Sequence, residues 1–222
     1  MFVFLGWAWH GLVMETAHVL EHALASDALR ILRDRHTPSP GFREAVRRLT
    51  TLLVAEATRV LPLETVRVET PLCWTEGGAL SARVGLVPIL RAGLSMVDPF
   101  LSMLPHAEVW HLGFYRDEET LQPVSYYQKL PAGRPVDIAY VLDPMLATGG
   151  SAIAALKDLA EWGVSQTVFL GLLAAPEGIA AVQAAYPATR IHVGAIDEKL
   201  NDAGYIVPGL GDAGDRAFHA AT

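Results

Sequence analysis

Residues 138–151, IAYVLDPMLATGGS, decide the fold. The first five form an unbroken apolar run, the pattern of a strand buried on both faces. Asp143 closes that run. After Pro144 and a short apolar stretch, Thr148, Gly149, Gly150 and Ser151 lead into a helix predicted over 151–162. Glycines let a backbone turn tightly and approach an anion closely. Free N–H groups at a helix start, aided by the helix dipole, hold phosphate. Thr148 and Ser151 can add hydroxyl donors. Asp143 would repel phosphate; it is better suited to accept hydrogen bonds from two neighbouring hydroxyls, such as a ribose diol. The stretch does not fit G-x-x-x-x-G-K-[ST], which disfavours a P-loop nucleotide hydrolase.

Outward from this stretch, four further apolar runs read as buried strands: 84–90, 109–114, 167–173 and 191–195. Helix-like pieces at 94–104 and 177–185 lie between them. Phe42, Val46, Leu49, Leu53, Ala57 and Val60 recur at three- and four-residue steps and mark an amphipathic helix. Ser39 and Pro40 suit its N-cap and first turn. The alternation predicts an α/β, doubly wound, mainly parallel five-stranded sheet flanked by helices. Ligands of such sheets sit beyond the carboxyl ends of the strands.

The 222 residues fit one domain, and 51% hydrophobic content supplies a large core. A net charge of −7 disfavours nucleic acid as a partner. Arg43, Arg47 and Arg48 read as a solvated helix face. Cys73 is the only cysteine, so no internal disulfide and no cysteine-based metal site can form, in keeping with a reducing cytoplasm. The apolar first sixteen residues lack the basic start and cleavage site of a signal peptide and are too short for a membrane span. They read as a surface-docked extension or as an upstream start ahead of Met14. Neither His18 nor His22 has a third ligand in view, so no zinc site is expected.

VLDPMLATGGSA resembles the phosphoribosyl-diphosphate signature of the type I phosphoribosyltransferases. With Pro144 where most relatives carry a second acid, it is similar to the uracil phosphoribosyltransferases. The resemblance extends through VPILRAGL (87–94), FYRDEETLQPVSYYQKLP (114–131), AAPEGI (174–179) and GYIVPGLGDAGDR (204–216), and covers about residues 18–218. It implies one domain over 1–222, with 1–16 outside it, carrying a small hood and a long flap hairpin. It implies transfer of the phosphoribosyl group from phosphoribosyl diphosphate to uracil, giving UMP and diphosphate.

By the same resemblance the diphosphate substrate is bound by Arg91, Arg116, Asp143, Pro144, Met145, Leu146, Ala147, Thr148, Gly149, Gly150, Ser151 and Asp212. Uracil is bound by Ile206, Gly211, Asp212 and Ala213. Catalytic roles fall to Arg116 and Asp212, and Lys129 is a weaker flap contact. GLGDAG (209–214) matches G-x-G-x-x-G literally, but Pro208 precedes it and no βαβ unit follows, so dinucleotide binding is rejected. A glycine-rich loop offering main-chain groups to a flat base is the better reading. Mg²⁺ is expected to arrive on the diphosphate, with no direct protein ligand. A homodimer or higher homo-oligomer, GTP as an effector, a cytoplasmic location and no membrane partner complete the expectations. Two alternatives stay open: a pyrimidine-responsive regulator of the same fold, and transfer to another base.

Overall fold

The computed structural model describes residues 17–116, 123–128, 130–131 and 133–219. The N-terminal extension, most of the acidic flap tip and Lys129 lie outside the described residues. In chain order the elements are β1 (Ala17–Val19), α1 (Ala23–Arg33), α2 (Ser39–Ala57), β2 (Leu63–Glu69), β3 (Trp74–Leu80) and β4 (Val84–Leu90). A 3-10 turn (Ala92–Met96) runs into α3 (Val97–Met103), then β5 (Glu108–Val109), β6 (Leu112–Arg116), β7 (Pro123–Gln128), β8 (Ile138–Leu142) and β9 (Met145–Leu146). Next come α4 (Gly150–Trp162), β10 (Gln166–Ala174), α5 (Pro176–Ala185), β11 (Arg190–Ile196), β12 (Lys199–Leu200), β13 (Ile206–Val207) and α6 (Ala213–Phe218).

Nine described strands form one sheet in the order β1-β11-β10-β8-β4-β6-β7, with β5 beside β4 and β9 beside β10. Every pairing in it is parallel except β6 with β7. All five expected runs lie in this sheet. The run at 109–114 is broken into β5 and β6, and the sheet exceeds the five expected strands for identifiable reasons. β1 adds a three-residue edge, β7 returns as the second arm of the flap hairpin, and β5 and β9 are two-residue ladders too short to leave a sequence pattern. A separate hairpin, β2 with β3, stands off the sheet with mostly exposed residues, among them Cys73 near its turn.

Strand alternation sorts the core into two layers. Ile138, Tyr140 and Leu142 of β8 face one layer with α1, α2 and α3; Ala139 and Val141 face the other with α4 and α5. Pro88 sits inside the central strand β4, a position proline seldom occupies because it cannot donate to a ladder. Here it falls between the stretch of β4 paired with β5 and the stretch paired with β6. The amphipathic helix begins one residue earlier than expected: Pro38 is the N-cap and Ser39 the first helical residue, so Ser39 is buried rather than capping. His22 caps α1, its Nδ1 accepting from the Leu24 amide at 3.0 Å.

The positional consequence lies at the adjacent strands β4 and β8. After β4 the chain crosses to α3 on one face; after β8 it crosses to α4 on the other. Neighbouring strands whose connections leave to opposite faces open a crevice at their carboxyl ends.

Tyr140 is fully buried, and its hydroxyl donates to the Ala57 carbonyl at 3.3 Å. Burial pushes the phenol up to about 12. Tyr140→Phe should cost about 1 kcal/mol, the net worth of one internal hydrogen bond. Tyr140→Ala should cost about 3–5 kcal/mol, as for other large aromatic truncations. Urea denaturation of both variants checks the ratio.

Candidate active site

A cavity of about 600 Å³ opens at that crevice. One wall is the phosphate loop, Asp143 and Met145 through Ala152; the other is the C-terminal loop, Ala203–Ile206 and Gly211–Gly214 as numbered, with Ala92 between them. Two motifs more than fifty residues apart in sequence thus face one another.

The phosphate loop is built from main-chain groups. Gly149 caps α4 with φ +81°, in the left-handed region that glycine favours, and α4 has no side-chain cap. The first-turn amides of α4 therefore lack an intrahelical acceptor and line the cavity. A backbone without a side-chain cap, at the positive end of a thirteen-residue helix, suits a phosphate dianion.

The loop is held from behind by the AAPEGI segment. β9 pairs with the end of β10, and the Ala175 amide donates to the Leu146 carbonyl at 2.9 Å. Gly178 of α5 lies so close that a methyl group on it would strike the Ala147 carbonyl and meet the Leu146 carbonyl at 2.8 Å. Gly93 is packed in the same way: a methyl group there would strike the Leu142 carbonyl. These two glycines serve backbone-to-backbone packing, a role sequence reasoning did not assign.

Asp143 lies at the end of β8, and its carboxylate accepts from the Met145 amide at 3.2 Å. Burial pushes its pKa up to about 7; the Met145 hydrogen bond opposes the shift, and repulsion from Asp212 adds to it. Asp212 is the N-cap of α6, its carboxylate accepting from the Asp215 amide at 2.8 Å.

Ile206, Gly211, Asp212 and Ala213, the residues expected at the base, all line the cavity. The rejected dinucleotide motif leads instead into the six-residue α6. Gly209 and Gly211 hold φ of +63° and +79°. Tyr205, Ala203, Gly204 and Gly214 also line the cavity; three of these stood inside the quoted motif without a role.

Two expected residues, Pro144 and Arg91, sit elsewhere than on the cavity wall. Pro144 is buried, and its carbonyl accepts from the Leu172 and Leu173 amides at 3.0 Å, so it supports the loop. Arg91 follows a cis peptide bond at the end of β4 and forms an ion pair with Asp215 of α6 at 3.0 Å. Arg116 ends β6. Its side chain, like Lys129, lies outside the described residues.

Among the described residues no group of three His, Cys, Asp or Glu side chains could hold a metal ion, and no helix is long and apolar enough to cross a membrane. Arg43 and Arg47 are exposed and Arg48 is half-buried. Arg47 pairs with Glu44 and Arg48 with Asp27, while Arg43 donates to the Ala217 carbonyl at 2.8 Å.

The family model described as uracil phosphoribosyltransferase matches residues 19–220. A uracil phosphoribosyltransferase of Roseiflexus castenholzii is 55% identical over 92% of this chain and 99% of its own length. That of Anoxybacillus flavithermus is 50% identical over the same shares. A solved protein from Aquifex aeolicus superposes with a TM-score of 0.87 at 37% identity, covering 93% of this chain and 99% of its own. The adenine phosphoribosyltransferase of Trypanosoma brucei shares the fold, with a TM-score of 0.56 at 10% identity over 86% of this chain and 88% of its own.

Two outcomes follow from the geometry. Gly178→Ala should displace the loop and raise the KM for a phosphorylated sugar substrate about tenfold or more while the protein stays folded; unchanged kinetics would show that the loop tolerates the methyl. For Asp143 the folded pKa lies above the unfolded 3.8. Its stabilising contribution is therefore complete below pH 3.8 and is lost as pH rises through about 7. Asp143→Asn should be more stable than the native chain at pH 8, with the advantage vanishing near pH 4 in urea denaturation.

Proposed function

The chain belongs to the uracil phosphoribosyltransferase family, and on that premise we propose how its cavity carries the reaction. It transfers the 5-phosphoribosyl group of phosphoribosyl diphosphate to uracil, forming UMP and releasing diphosphate, a step of pyrimidine salvage. The observation that carries the assignment of roles is that the phosphate loop and the glycine-rich C-terminal loop line one cavity.

The ribose 5-phosphate sits on the amides of Thr148 through Ser151 at the start of α4. Asp143 accepts from the ribose hydroxyls. A carboxylic acid poised near neutrality by burial ionises readily once hydroxyl donors face it, because hydrogen bonds to the charged form favour that form. This grip turns C1 of the ribose toward the base loop, where Ile206, Gly211, Asp212 and Ala213 hold uracil through main-chain groups. The C1–oxygen bond then breaks with positive charge growing on the ribose ring and negative charge on the departing diphosphate. Arg91, held by Asp215 in the free protein, exchanges that carboxylate for the diphosphate, and Arg116 approaches with the flap hairpin. Asp212, on the cavity wall with one oxygen committed to capping α6, is assigned to accept the uracil N1 proton.

Two carboxylates in one cavity, one of them desolvated, suit a hard divalent cation that arrives with its own phosphate ligands. Asp143 and Asp212 are the residues that would face Mg²⁺ carried by the diphosphate. The ion would supply charge neutralisation for the leaving group.

The test is formation of UMP from labelled uracil, phosphoribosyl diphosphate and Mg²⁺, with cytosine, orotate and hypoxanthine as competitors. Arg116→Ala should lower kcat about a hundredfold or more with the melting temperature unchanged; near-native turnover would remove Arg116 from the mechanism.

A further inference from the structure

The base loop is clamped by an ion pair that does not itself line the cavity. Asp197 follows β11, and its side chain is only 4% exposed. Arg33, the last residue of α1, grips it with both terminal guanidinium nitrogens, Nη1 and Nη2, at 2.8 and 2.5 Å. Gly209 sits between the two charges. Its amide donates to Asp197 at 2.8 Å, and its carbonyl accepts from Arg33 at 3.0 Å. Both main-chain polar groups of one loop residue are thus fixed by opposite members of one ion pair.

Gly209 transmits that constraint in two directions. Its φ of +63° and the closeness of the Ile206 carbonyl, which a methyl group at Gly209 would strike, tie it to Ile206. Downstream, Leu210 is held as well: Arg216 donates to its carbonyl at 2.7 Å and also to the carbonyls of Leu32 and Asp34. Two arginines therefore bind the carboxyl end of α1 to the loop just ahead of Gly211, Asp212 and Ala213. A buried ion pair contributes little net stability compared with apolar packing of the same volume. Charge-assisted, two-pronged hydrogen bonds do confer tight geometry.

We propose that the Arg33–Asp197 pair is a positioning device for base recognition, setting the register of residues 206–213 so that their main-chain groups match one edge of uracil. This rests on the assignment of that loop to uracil. Neither residue touches the base; each acts through Gly209. A main-chain reader has no side chain to discriminate bases, so its selectivity depends on how rigidly the loop is held.

The experiment uses the full chain with Arg33→Lys and Asp197→Asn. Arg33→Lys keeps a positive charge beside Asp197 but loses the two-pronged grip. The clamp predicts that KM for uracil rises at least fivefold in both variants and that preference for uracil over cytosine narrows. The dissociation constant for ribose 5-phosphate, which reads the α4 half of the cavity and not Asp212, should stay within twofold of native in calorimetry without base. An unchanged uracil KM, or parallel weakening of uracil and ribose 5-phosphate, would overturn the proposal. Should Asp197→Asn fail to fold, Arg33→Lys alone decides. Failure of the underlying assignment looks different: the native chain itself would then form no UMP from uracil.

Discussion

The site depends on the close approach of two backbones, the phosphate loop after β8 and the start of α5. The amides of α4 can present themselves to an anion only if the loop ahead of them is rigid and free of side chains. Gly149 permits the turn; Gly178 lets α5 press against the Ala147 carbonyl behind it. The ladder between β9 and β10 and the Ala175 amide on Leu146 then stitch the loop to the central sheet. Rigidity is inherited from the most buried part of the protein, since β8 and β10 are covered on both faces. A phosphate site assembled from backbone loses little entropy on binding, because its donors are already ordered.

Electrostatics gives the site a second character. The chain carries a net charge of −7, yet it must bind a polyanion. Asp143 is relieved by burial, which favours its neutral form. Arg91 is kept near the cavity by Asp215 from α6. On the proposed assignment, an arriving diphosphate competes for Arg91 with the partly exposed Asp215 carboxylate rather than with bulk water alone. Such an exposed pair is worth little, so the exchange costs little.

The two halves of the cavity are held by different means. Hydrogen-bonded sheet and glycine contacts hold the phosphate half. The half assigned to the base is a loop outside the sheet, secured by one ion pair, Arg33 with Asp197, and by Arg216, which donates to the carbonyls of Leu32, Asp34 and Leu210 and stacks over Phe42.

The sequence by itself determined the sheet's central strands, the helix after Gly149 and the residues of both loops. Buried parallel strands are continuous apolar runs, and glycine-rich turns at a strand–helix junction are local features that a linear reading captures. The two-residue ladders, the β2–β3 hairpin and the split of the run at 109–114 were not legible, because they depend on partners rather than on pattern. Arg33 and Asp197 looked like ordinary polar residues, since what distinguishes them is a partner 164 positions away. Gly178 and Gly93 gave no local sign of their role, because the carbonyls they approach belong to distant segments. Only the tertiary structure could place the phosphate loop against the C-terminal loop. It does so because β4 and β8 lie side by side and send their connections to opposite faces, leaving one crevice for both loops to fill.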